Sequence, residues 1–246
     1  MGQTQSILLI LSIVVTLGII AYTIQSIEER KQARKRQVIA YKRQIRTAMN
    51  IYKGLPETFM TVELHDFISR HIFNKWKKLH DIETSQDSLR ALTTFQERIK
   101  NRVITLQHPE GSMTVYSEEG QVYHALGLLK ETTQWLADLS KSKQISEMSF
   151  NELGWQVKDF YDRVSCDIEI FEAIETLRQH GEKAAFHKFN IALKSLGELN
   201  QSQALDSQVF EIHKQMEKLK IVIEEQNEAL ELARIEAQEI EDNKRS

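Results

Sequence analysis

The feature that most constrains this chain is a run of eighteen residues, Ile7 to Ile24, with no Asp, Glu, Lys or Arg; the first charged side chain is Glu28. As a helix, such a run rises roughly 27 Å, close to the thickness of a bilayer's hydrocarbon core. Ser12, Thr16 and Thr23 do not oppose insertion, because their hydroxyls can return to the helix backbone. Tyr22 stands where an interfacial aromatic belongs. A buried core helix would carry a polar stripe, and this segment has none. A cleaved signal peptide would carry a basic start and a shorter apolar stretch. The segment therefore predicts one transmembrane helix, with residues 1–27 forming a short outer N-terminus and an anchor.

Basic residues set its orientation. Arg30, Lys31, Arg34, Lys35, Arg36, Lys42, Arg43 and Arg46 follow the apolar run, and no Lys or Arg precedes it. The positive-inside rule then places the N-terminus outside and the bulk of the chain in the cytoplasm, at the cell (inner) membrane. A lone Cys166 gives no intramolecular disulfide framework of the kind exported domains use. Residues 28–46 carry a net charge of +6 within a chain of net −3, which leaves −9 on residues 47–246. The basic stretch points to anionic lipid headgroups as a partner. The acidic body disfavours nucleic acid, whose binding rests on phosphate neutralisation. A membrane-linked nucleic-acid tether acting through residues 30–46 is thus a lesser alternative.

With only two prolines, Pro56 and Pro109, and helical periodicity in every long segment, the chain reads as all-α. A basic juxtamembrane helix over 28–53 places Val38, Tyr41, Ile45, Met49 and Tyr52 on one face and stops at Gly54 before Pro56. A helical domain over 54–200, an antiparallel bundle of helical hairpins, follows. Its helices carry Leu64, Ile68, Ile72, Trp76 and Leu79; then, from near Ser85, Leu89, Leu92, Phe95, Ile99, Val103 and Leu106; then, over 121–140, Val122, Ala125, Leu129 and Leu136. Residues 107–120, with Pro109, Gly111 and Gly120, form the longest loop, where polar groups are free to serve function. Ser149 and Glu152 have the spacing of a capping box opening a helix that stops at His180-Gly181. A shorter helix closes at Gly197.

Residues 201–246 form a long C-terminal helix with a heptad seam: Leu205, Val209, Ile212, Met216, Leu219, Ile223, Gln226, Leu230, Ala233, Ala237 and Ile240. Gln226 is its one large polar member. Two readings follow: a coiled coil with itself or a protein partner, or a helix folded back on its own domain.

Little in the chain suggests chemistry. Cys166 lies mid-helix without a paired His, and there is no glycine-rich phosphate loop and no Cys/His ligand cluster. Glu172 and Glu175 lie one turn apart in an acidic run with Asp167 and Glu169, without the Glu-x-x-His of a bundle metal site. No cofactor, metal or catalytic residue is expected. Ala185, Phe189, Ala192 and Leu193 are spaced as in the second helix of a tetratricopeptide repeat, a resemblance confined to that helix. Leu79-His80-Asp81-Ile82 resembles the His-Asp core of the HD phosphohydrolase family. That resemblance implies an all-α metal-dependent hydrolase, with His65 or His71 upstream and Asp138 or Asp162 downstream as further ligands. Glu83-Thr84 departs from the Gly-Lys that often follows the motif. The leading expectation remains a single-pass, membrane-anchored cytoplasmic scaffold that works by binding proteins.

Overall fold

A computed structural model describes residues 3–105 and 107–245, without the side chains of 3–16, 18, 19, 21, 239 and 241–245. Among the described residues there are seven α-helices and no strand: α1 (Gln3–Gly54), α2 (Val62–Ile82), α3 (Gln86–Asn101), α4 (Glu119–Lys141), α5 (Glu147–His180), α6 (Glu182–Leu199) and α7 (Asp206–Arg245), with a 3-10 turn at Glu57–Phe59. The all-α expectation is met. α1 is one unbroken helix of 52 residues that takes in the apolar run and the basic stretch together. No helix is long and apolar enough to cross a membrane among the described residues. Most side chains of the span expected over Ile7–Ile24 lie outside that set, so what the structure describes there is the helix backbone.

The chain divides into two compact units. The first takes Met1–Asn50 and Phe67–Asn101. It buries Ile45 and Ala48 of α1, Ile68, Ile72 and Leu79 of α2, and Phe95 of α3. Lys42 pairs with Glu83 at 2.8 Å, and Arg34 donates to the carbonyl of Ile82, tying α1 to the end of α2.

The second unit takes Ile51–Asp66 and Arg102–Ser246. In it α4, α5, α6 and α7 pack each on the next. Their connections are short, which makes successive helices antiparallel. The α5–α6 turn is Gly181, whose φ of 82° suits a residue without a Cβ. Cys166, Ile170 and Ala173 of α5, Ala185, Phe189, Ala192 and Leu196 of α6, Leu205 just ahead of α7, and Ile212, Met216 and Leu219 of α7 form one core. Gly54 ends α1 where a Cβ would come 2.5 Å from Leu128 Cδ1.

Several element ends differ from the sequence expectation. Ser149 does not cap α5: the cap is Ser146, whose Oγ accepts from the Ser149 N–H at 3.1 Å. Gly197 does not close α6, which runs on to Leu199 and ends at Asn200. There the Asn200 backbone N–H bonds Leu196 O at the end of α6, while its side chain accepts from Leu205 N–H at 2.9 Å and donates to Asp206 at 2.6 Å, tying the loop to the start of α7. α3 ends at Asn101, so Val103 leaves the expected face and is exposed; Leu106 lies outside the described residues. Arg102 is drawn instead to the end of α1, donating to the carbonyls of Tyr52 and Leu55 and lying 4.6 Å over the Tyr52 ring.

Candidate interaction surfaces

The basic stretch occupies the middle of α1. Arg30, Lys31, Arg34, Lys35, Arg36, Lys42, Arg43 and Arg46 are all exposed. Val38 and Tyr41 are half-buried and Ile45 is buried, so one face of the helix packs while the cations stay in water. These guanidinium and ammonium groups fall in two clusters, 30–36 and 42–46, over about five turns of helix, and give that stretch of α1 a positive surface.

The seam of α7 divides in two. Leu205, Ile212, Met216 and Leu219 are buried and Val209 is half-buried, all against α6 and its neighbours. Ile223 is half-buried, while Gln226, Leu230, Ala233, Ala237 and Ile240 are exposed. The changeover lies at the start of α6, where Gln226 donates to Glu182 at 3.1 Å and Lys183 donates to Asn227 at 2.6 Å. Beyond Asn227 no hydrogen bond or ion pair joins α7 to another element among the described residues. The first half of the seam is thus folded back on its own unit. The second half keeps Leu230 at 59% and Ile240 at 57% exposure on the seam, while Leu232 and Ile235 are exposed off it. An isolated helix of that length is marginal in water unless something covers its apolar side.

The loop between α3 and α4 is held rather than free. His108 is buried, its N–H donates to Ala204 O at 3.0 Å, and its Nε2 lies 2.9 Å from Ser112 O and 3.2 Å from Ser112 Oγ. Gln208 of α7 donates to Met113 O at 2.8 Å and Ser207 to Pro109 O at 3.3 Å. An imidazole whose Nε2 is engaged by a backbone carbonyl is a staple, not a base for the serine. Burial holds its pKa below the usual range, opposed by the Ser112 carbonyl, with Arg163 adding to the lowering.

Gln208 also donates to Asp167 at 2.9 Å. Burial pushes the Asp167 carboxyl up to about 7, against the lowering by its bonds to Thr114 and Gln208 and by Arg163. Arg163 is itself buried, its guanidinium 5.2 Å over Phe59 and 5.9 Å over Phe160. Loop, α5 and α7 therefore share one buried polar cluster, which sequence reading missed because its members are far apart in the chain.

No family model, curated protein or solved structure matches this chain.

The residues of the HD resemblance fall in different settings. His80 is half-buried at the end of α2, its Nδ1 3.5 Å from Ser88 Oγ, and Asp81 is exposed. His71 belongs to the first unit; His65, Asp138 and Asp162 belong to the second, where His65 lies 3.1 Å from the Tyr52 hydroxyl. No group of three or more His, Cys, Asp or Glu side chains is placed to hold a metal among the described residues. In the acidic run, Glu172 pairs with Lys188 at 3.1 Å and Glu175 with Arg178 at 2.9 Å. Cys166 is buried, and burial followed by the Glu169 and Asp167 charges pushes its thiol up to about 12, far from a nucleophile's range.

Proposed function

We propose that this chain is a single-pass membrane-tethered scaffold whose helical body lies in the cytoplasm and docks a protein through the distal half of α7. The observation that carries the reading is the uncharged apolar run Ile7–Ile24 with eight basic residues directly behind it and none ahead. The exposure of those cations along α1 supports contact with anionic headgroups, each worth about 1 kcal/mol close to the surface. Leu230 and Ile240, exposed on the seam of α7 beyond Asn227, support a docking face. Tethering raises the effective concentration of that face for partners at the same membrane without any new contact.

The test is a pair of chains, full length and lacking residues 1–27. The shortened chain is expected to be soluble and helical, and the full chain to require detergent. The docking half is tested by size: the shortened chain is expected to sediment above the monomer mass, alone or with a captured partner. Leu230→Asp and Ile240→Asp together should return it to a monomer without loss of helix content beyond the distal turns.

A further inference from the structure

We propose that a groove between α5 and the α6–α7 loop recognises a peptide segment of a partner protein that presents an arginine or lysine beside an apolar residue. The inference is independent of the tether and of the α7 face.

Two adjoining cavities of about 420 Å³ and 320 Å³ share Trp155, Asp159, Arg163, Ser202 and Ala204, so they form one groove with two lobes. The α5 residues Trp155, Lys158, Asp159, Asp162 and Arg163 recur at three- and four-residue spacing, which puts them on a single face. Across from them stand Glu198 and the loop 201–205. The second lobe adds Phe160 and Thr61, and its far wall is Ala204.

The groove is built in advance. Asn200 holds the loop through the two side-chain bonds already described, and Ala204 O receives the His108 N–H. Gln203 adopts a left-handed φ of 58°, a conformation that a glutamine keeps only where its surroundings impose it. At the floor, Arg163 is pinned between Phe59 and Phe160. At the rim, Trp155 is 71% exposed, an uncommon place for a large aromatic and a frequent one for a binding anchor.

Charge decides the class of occupant. Arg163 has Asp159 and Asp167 beside it as counter-charges. Asp162 and Glu198 have no ion-pair partner among the described residues. Partial burial raises the Asp159 carboxyl, Arg163 opposes that rise, and the neighbouring Asp162 charge adds to it, so the wall holds like charges together. The Trp155 ring already takes a cation, Lys158 Nζ, at 5.3 Å. An incoming guanidinium or ammonium would meet Asp162 and Glu198 against that indole. The apolar neighbour in the peptide would enter the lobe lined by Phe160 and Ala204. An acidic or phosphorylated peptide would meet the unpaired carboxylates first, and Arg163 is too enclosed to receive it.

The experiment follows the Trp155 indole in the full chain in detergent, by fluorescence and by the indole N–H resonance, with Trp155→Phe identifying the signal. The probes are three blocked dipeptides: acetyl-Leu-Arg-amide, acetyl-Leu-Gln-amide and acetyl-Leu-Glu-amide. The arginine peptide is expected to bind about tenfold tighter than the glutamine peptide, the worth of two partly screened carboxylate contacts. Asp162→Asn with Glu198→Gln should remove that preference while leaving the weak binding of the glutamine peptide in place. Lys158→Gln should tighten the arginine peptide about threefold by freeing the ring and removing a like charge. Equal binding of the arginine and glutamine peptides, tighter binding of the glutamate peptide, or no response of the indole to any of them at millimolar concentration would each overturn the proposal.

Discussion

Two ionisable side chains, one buried and one half-buried, titrate in opposite senses, each in its own unit. Asp167 rises from 3.8 to about 7 in the folded chain, chiefly through burial. Between roughly pH 4 and 7 the folded state keeps a proton that the unfolded state has lost, so this group makes stability fall as pH rises through that window. Asp167→Asn keeps the acceptor for Gln208 and should remove a decline on the order of 3 kcal/mol between pH 5 and 8. Urea denaturation at a series of pH values reads that slope directly. His71 moves the other way, lowered from 6.5 to about 4 by burial first and by Lys75 and Lys78 next. Its contribution is whole above pH 6.5 and is lost as pH falls through about 4, when the unfolded chain takes up the proton that the folded chain resists. Because His71 is partly reached by solvent, its effect should be smaller, on the order of 2 kcal/mol. We expect His71→Gln to protect the amides of α2 from acid-induced exchange while leaving those of α5 and α6 unchanged.

At the scale of the element, α7 is one helix with two environments. Ile212 is fully buried, and Ile212→Ala should cost about 2–4 kcal/mol in urea denaturation. Leu230 is 59% exposed on the same seam, and Leu230→Ala should change the stability of the monomer by no more than about 0.5 kcal/mol. A heptad pattern alone does not separate these positions. Leu219 and Leu230 have the same local sequence signature, and only the length of α6, which reaches α7 as far as Asn227, decides which of them is covered. That is why the existence and faces of the helices were legible while the fate of the seam was not. Element ends were legible where backbone chemistry dictated them, as at Gly54 and Gly181. They were misread where the cap lay three residues from the expected one: Ser146 in place of Ser149, and Asn200 in place of Gly197. The groove was hidden as well. Trp155, Asp162 and Glu198 look like ordinary surface residues until α5 and α6 are laid side by side, and nothing local marks the loop 200–205 as a wall.

At the scale of the whole molecule, the proposed account rests on charge and hydropathy laid out along the chain: an uncharged run, a basic stretch continuous with it in α1, and an acidic helical body. Each part has a distinct consequence. Replacing Arg30, Lys31, Arg34, Lys35 and Arg36 with Gln should weaken the topology signal and reduce binding of the shortened chain to vesicles rich in anionic lipid, an effect that added salt should imitate. It should leave the chain's helix content nearly unchanged, because the five side chains are exposed and, among the described residues, only Arg34 of the five bonds another helix, at the Ile82 carbonyl. The most direct test of the central claim is alkaline extraction of membranes from cells expressing the full chain or the chain lacking residues 1–27. The full chain is expected to stay in the membrane pellet after extraction and the shortened chain to pass to the supernatant. A full chain released by alkali alongside the shortened one would contradict it.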